Sequence, residues 1–162
     1  MLPHSLEAEK SVLGGMLISR EAAELVCEAL KPEDFYLPAH QDIYAAMLQL
    51  YSRGNAVDSV TLIDALEREG KLNAVGSVSY ITELSLFVPS AANVSHYIRI
   101  VEDRSVMRQL IRAGTDIVQD AQTGERPVGD MLDDAERRIF NISMKKSEDT
   151  LVHIEKTAMD TY

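Results

Sequence analysis

The chain has 162 residues, 46% hydrophobic and 26% charged, a balance that suits a folded domain with a real core and excludes a disordered chain. Its formal net charge is −10, and residues 1–90 hold 13 acidic side chains against 6 basic ones, which makes that stretch a poor clamp for DNA phosphates. The single cysteine, Cys27, excludes an internal disulfide, and no apolar run reaches the ~20 residues of a membrane span, so a cytoplasmic protein is expected.

In chain order, Ser5 is placed to cap a first helix with Glu7 and Glu9 in its opening turn, where the helix dipole favours acids. Leu6, Leu13, Met16 and Leu17 give that helix an apolar stripe. Ser19 caps a second helix carrying Ala22, Leu25, Val26, Ala29 and Leu30, and Cys27 is read as a small buried hydrophobe within it. Lys31-Pro32 breaks the chain, because proline disfavours a helical residue before it. A third helix follows Pro38 with Ile43, Tyr44, Met47, Leu48 and Tyr51 on one side, and ends at Gly54. Asp58 caps a fourth helix bearing Val60, Ile63 and Leu66, which stops at Gly70. A fifth spans Val78–Phe87, before Pro89. These short helices should form one compact head over residues 1–90.

From about Ser90 one helix is expected to run unbroken to about Ala121, with Met107, Leu110, Gly114, Ile117 and Ala121 stepping by three and four. A loop with Gly124, Pro127 and Gly129 follows, and then Val128, Leu132, Ala135, Ile139 and Ile142 repeat the step. Two such helices should form an antiparallel hairpin over residues 91–142. Ile111, Val118, Met131 and Phe140 flank the seams and exceed what two helices can bury, which points to self-association of hairpins into a four-helix arrangement. A hairpin folded back on its own head, in a monomer, is the other arrangement open at this point. Residues 143–162 read as a linker, Ser143 to Thr150, and then the start of another helix with Leu151, Ile154 and Ala158. The expected fold is therefore all-α: a multi-helix head, a long hairpin and the start of a linker helix.

No catalytic, cofactor or metal site is expected. His4, His40, His96 and His153 are isolated, without ligand spacing, and read as surface or capping groups. Gly124-Glu-Arg-Pro-Val-Gly129 approaches a phosphate loop but continues Asp130-Met131 where Lys and Ser/Thr must stand. Asp130, Asp133, Asp134 and Glu136 open a helix, where acids suit the dipole and solvent. Arg99, Arg104, Arg108 and Arg112 are interleaved with Glu102, Asp103, Asp116 and Asp120, a salt-bridged face rather than a phosphate track.

Several segments together resemble the bacterial DnaB-type replicative helicases: Pro3-His-Ser-Leu-Glu-Ala-Glu-Lys-Ser-Val-Leu-Gly14, Asp34-Phe-Tyr with His40, Gly76-x-x-x-Tyr80, Pro89-Ser-Ala-Ala-Asn-Val94, and Tyr97 through Val101. Each is weakly specific alone; their order and spacing are strongly specific. The resemblance implies an amino-terminal domain whose hairpins dimerise, through Met107, Leu110, Gly114, Ile117, Leu132, Ala135 and Ile139, into a collar on a hexameric ring. It implies primase docking by Glu7, Tyr80, Ile111 and Ile117, with Ile111 and Ile117 equally readable as seam residues. A helicase loader is implied as a further partner, and a linker helix docking on a RecA-like motor that uses ATP and magnesium to unwind DNA. That motor is absent from this sequence, so no enzyme activity is expected of the chain itself. The competing expectation is a helical module that touches single-stranded DNA directly.

Overall fold

The computed structural model describes the backbone of residues 1–160 and the side chains of residues 1–145, and every described element is helical. Helix α1 (Leu6–Ile18) starts where expected, its Ser5 hydroxyl accepting the Ala8 N–H at 3.2 Å. Helix α2 (Arg20–Ala29) follows at once, capped in the same way by Ser19 on the Ala22 N–H. A single 3-10 turn, Pro32–Asp34, then redirects the chain; its Asp34 side chain accepts the Lys31 N–H at 2.8 Å.

Helix α3 (Pro38–Ser52) opens on a proline, whose missing N–H costs nothing in a first turn. Helix α4 (Ser59–Arg68) is fixed by a reciprocal cap, Asp58 accepting from the Thr61 N–H and the Thr61 hydroxyl accepting from the Asp58 N–H. Helices α5 (Ser77–Phe87), α6 (Val94–Thr123) and α7 (Val128–Asp160) complete the chain.

The chain divides into two compact units, Met1–Ser105 and the residues from Val106 onward. In the first, α1 lies against α2, α3 and α5 and supplies Ala8, Val12, Leu13, Met16 and Leu17 to the core. The head extends further than residue 90, because the opening turns of α6 place Val94, Ile98 and Val101 in the same core at helical spacing. Tyr44 closes the α2 end: its hydroxyl lies 2.8 Å from the Leu30 carbonyl and 3.1 Å from that of Val26, which also accepts the Leu30 N–H at 2.9 Å. Cys27 is half-buried rather than buried, and burial is the main cause pushing its thiol pKa up to about 11.

The second unit contains the expected antiparallel hairpin. Asp116 of α6 accepts from Arg138 of α7 at 2.9 Å across the pair. Gly124, at φ +61°, turns the chain out of α6, and Arg126 in the loop clasps both Asp120 and Asp134. The glycine-rich segment 124–129 is thus the hairpin turn.

Two further expectations are corrected. No linker interrupts residues 143–150: α7 is continuous to Asp160. Ser-Met-Lys-Lys-Ser-Glu-Asp-Thr contains neither Gly nor Pro, and polarity alone does not stop a helix. The side chains of Leu151, Ile154 and Ala158 lie outside the described residues. In α4, the buried stripe is Leu62 and Leu66, while Val60 is 77% exposed.

Gly14 faces the backbone of α5, and a Cβ there would collide with the Leu84 carbonyl, whereas a Cβ on Gly15 would make ordinary contacts with Val94 at 3.5 Å and Ala91 at 3.7 Å. Gly14→Ala should therefore destabilise the head by about 1–3 kcal/mol in urea unfolding. Gly15→Ala should be neutral or slightly stabilising, since alanine is the better helix former. Equal effects from the two would refute the close approach of α1 to α5.

Candidate functional site

The first two turns of α1 carry a buried carboxylate. Glu9 is 2% exposed, and its two oxygens take three partners: the Tyr36 N–H at 2.8 Å, the Leu37 N–H at 3.5 Å and His40 Nδ1 at 2.8 Å. His40, on the first turn of α3, is fully buried, and its Nε2 lies 2.6 Å from the Tyr80 hydroxyl on α5. The two rings are nearly parallel, at 13° with centroids 5.9 Å apart. One carboxylate thus joins α1, the loop before α3, α3 itself and, through an imidazole, α5.

Tyr80 reaches His40 because of the turn before it. Gly76 has φ +112°, and a Cβ on it would stand 2.7 Å from Tyr80 Cβ, so only glycine leaves room for this ring. Ser77 follows in the left-handed region at φ +65°, its hydroxyl bonded to the Asn73 side chain. The phenol is half-buried, and its pKa is raised by burial first and then by the nearby charges of Glu83 and Glu9. Glu83 pairs with Lys10 of α1 at 3.3 Å, and that ammonium also sits 4.6 Å over the Phe87 ring. At the amino terminus His4 stacks on Tyr36 at 4.1 Å, which packs the start of the chain onto the residue whose N–H holds Glu9.

Glu9 and His40 are the residues that motif reasoning missed, and His40 corrects the expectation of a surface histidine. The signal was present in the helical period. Glu9 stands four and seven residues before the buried Leu13 and Met16, and His40 three, four and seven before Ile43, Tyr44 and Met47. A polar residue in line with an apolar stripe is buried and must find partners.

Of the residues proposed for docking, Glu7 on α1 is exposed and Tyr80 half-buried, both in the first unit. Ile111 is 43% exposed and Ile117 half-buried, both on the hairpin. The seam residues Met107, Leu110, Leu132 and Ile139 are all exposed, as are Val118 and Phe140, while Gly114 and Ala135 are half-buried. The seam does not close within the chain. Among the described residues, no group of three or more His, Cys, Asp or Glu side chains is placed to hold a metal ion, and no helix is long and apolar enough to cross a membrane.

A helical head with a buried polar network is joined to a hairpin most of whose seam residues are left exposed. The chain belongs to the DnaB-like helicase N-terminal domain family, whose model matches residues 1–103. It is 44% identical to the replicative DNA helicase DnaB of Geobacillus stearothermophilus over 160 residues, which cover 99% of this chain and 35% of that protein. The chain thus spans about a third of that relative's length. The crystal structure of the N-terminal domain of DnaB helicase from Mycobacterium tuberculosis matches at a TM-score of 0.83 and 43% identity, over 87% of this chain and 99% of that one. A structure described as that of a DnaB-like replicative helicase and its interactions with primase matches at a TM-score of 0.68 and 27% identity, over 85% of this chain and 30% of that one.

The polar network yields a stability prediction. Glu9→Ala would remove the carboxylate that accepts the Tyr36 N–H and meets His40 Nδ1 in a buried site, and should cost about 3 kcal/mol in urea unfolding. A loss below ~0.5 kcal/mol, typical of a surface site, would contradict the burial described.

Proposed function

We propose that this chain is the amino-terminal collar domain of a bacterial, cytoplasmic replicative DNA helicase, joining subunits through its hairpin and presenting its head and hairpin to primase. The observation that carries this reading is the exposed apolar face of the hairpin: Met107, Leu110 and Val118 on α6, and Leu132, Ile139 and Phe140 on α7. Contiguous exposed apolar surface on two neighbouring helices favours burial against a second copy. Pairing of hairpins, through Met107, Leu110, Gly114, Ile117, Leu132, Ala135 and Ile139, would give the dimers from which a hexameric ring is built.

Primase docking is proposed for Glu7, Tyr80, Ile111 and Ile117; support comes from the family and from the solved relative described with its primase interactions. ATP- and magnesium-dependent unwinding is proposed for a carboxyl-terminal motor of the parent protein, with DNA and a loader engaged by the ring. A bound primase can shift the collar only as far as its affinity differs between collar states. Direct contact with single-stranded DNA is the weaker reading, since residues 1–90 carry 13 acids against 6 bases.

Light scattering across a concentration series tests the assembly. Dimers or hexamers should form, and Leu110→Gln with Ile139→Gln should convert them to monomers with helicity by circular dichroism retained. A strict monomer at every concentration would refute assembly through the hairpin.

A further inference from the structure

The hydrogen bonds of Glu9, His40 and Tyr80 have a direction, and the backbone sets it. The Tyr36 and Leu37 N–H groups can only donate, so the Glu9 oxygens they meet, Oε2 at 2.8 Å and Oε1 at 3.5 Å, act as acceptors. Oε1 is also the atom 2.8 Å from His40 Nδ1, and against an ionised Glu9 the hydrogen of that bond is on Nδ1. The bond made at one ring nitrogen fixes the state of the other. In a neutral imidazole Nε2 is then bare, and the hydrogen in its 2.6 Å contact with Tyr80 comes from the phenol.

We infer that Tyr80 is held with its hydrogen turned inward to His40, so that its oxygen meets a docking partner as an acceptor only, and that the partner places a lysine or arginine side chain against it. This rests on the reading of the head as a primase platform. Among the described residues His40 Nε2 is the one hydrogen-bond partner of the hydroxyl. The charged groups that, after burial, raise the phenol's pKa, Glu83 and Glu9, are both acidic, and only Glu83 is paired with a permanent cation, Lys10, so the balance favours a cation beside it. A carbonyl or carboxylate in the same place would set lone pairs against lone pairs. His40 and Glu9 are positioning residues in this scheme, and Tyr80 makes the contact.

The test has two arms. In the chain labelled with 15N-histidine, long-range proton–nitrogen spectra at neutral pH should show His40 protonated at Nδ1 and bare at Nε2. A proton on Nε2, alone or with one on Nδ1, overturns the inference. Glu9→Gln should reverse the relay without changing its shape. The amide oxygen keeps the Tyr36 N–H, the amide NH2 faces Nδ1, the imidazole becomes the Nε2–H tautomer, and the phenol's hydrogen turns outward.

Binding of fluorescently labelled primase should then weaken about tenfold or more in Glu9→Gln, and similarly in Tyr80→Phe, the loss expected for one hydrogen bond to a charged group. If Tyr80→Phe binds as the unaltered chain does, the docking reading of Tyr80 fails. If Tyr80→Phe weakens binding while a tautomer-reversed Glu9→Gln does not, docking stands and the acceptor inference fails. Should Glu9→Gln not fold, the spectrum of the unaltered chain and Tyr80→Phe still decide both.

Discussion

Everything in the head hangs on the carboxylate of Glu9. Burying an ionisable group is costly unless each lone pair is met, and here two backbone N–H groups and an imidazole meet them. Those partners belong to the segment Tyr36–Leu37 and to α3, so the requirement to satisfy one side chain fixes how both stand to α1. Hydrophobic packing has no comparable angular demand. Val12, Leu13 and Met16 would be nearly as content with α1 turned by a few degrees; Glu9 would not.

Segments that carry the family resemblance converge on this network, which gives them physical meaning. In the stretch from Pro3 to Gly14, His4 stacks on Tyr36, Ser5 caps α1, Glu9 accepts, and Gly14 lets α5 approach. Asp34-Phe-Tyr contributes more than a turn: Asp34 caps the 3-10 turn and takes the Ser105 hydroxyl at 2.8 Å, Phe35 packs beside Tyr44, and Tyr36 supplies its N–H. Gly76-x-x-x-Tyr80 is one device, a glycine clearing the space for the ring four residues later. Glu9, Tyr36, His40 and Tyr80, from three of those segments, lie on one hydrogen-bonded path.

How much of this was legible beforehand follows from the range of each interaction. Helix starts were plain, because Ser5, Ser19 and Asp58 cap within three residues of themselves and need no tertiary information. Helix stops at Gly54 and Gly70, both at positive φ, were plain for the same reason. The linker at 143–150 was misread because polar composition was taken as a break, although only backbone-altering residues interrupt a helix locally. The head boundary was misread because α6 has no sequence signal where it leaves the core; Val101 and Val106 look alike until their neighbours are known. The Glu9–His40 contact spans 31 residues. Periodicity could have marked both residues as buried, but not that they would meet.

A buried carboxylate–imidazole pair is not what a designer of stability alone would choose, since apolar side chains of similar volume in such sites are often neutral or better by about 1–4 kcal/mol. The head also has a well-filled apolar core. What apolar residues could not do is hold a phenol in the half-buried zone with its hydrogen turned one way. A free tyrosine at a surface rotates its hydroxyl and accepts or donates as the partner demands; a tethered one offers a single polarity in a single place. Under the proposed docking role, that restriction is worth more than the stability forgone, because specificity rises when the wrong partner is made worse as well as the right one better. The same logic separates the head from the hairpin. Aliphatic surface on α6 and α7 suits a contact that need only be strong, while a directed hydroxyl suits one that must discriminate.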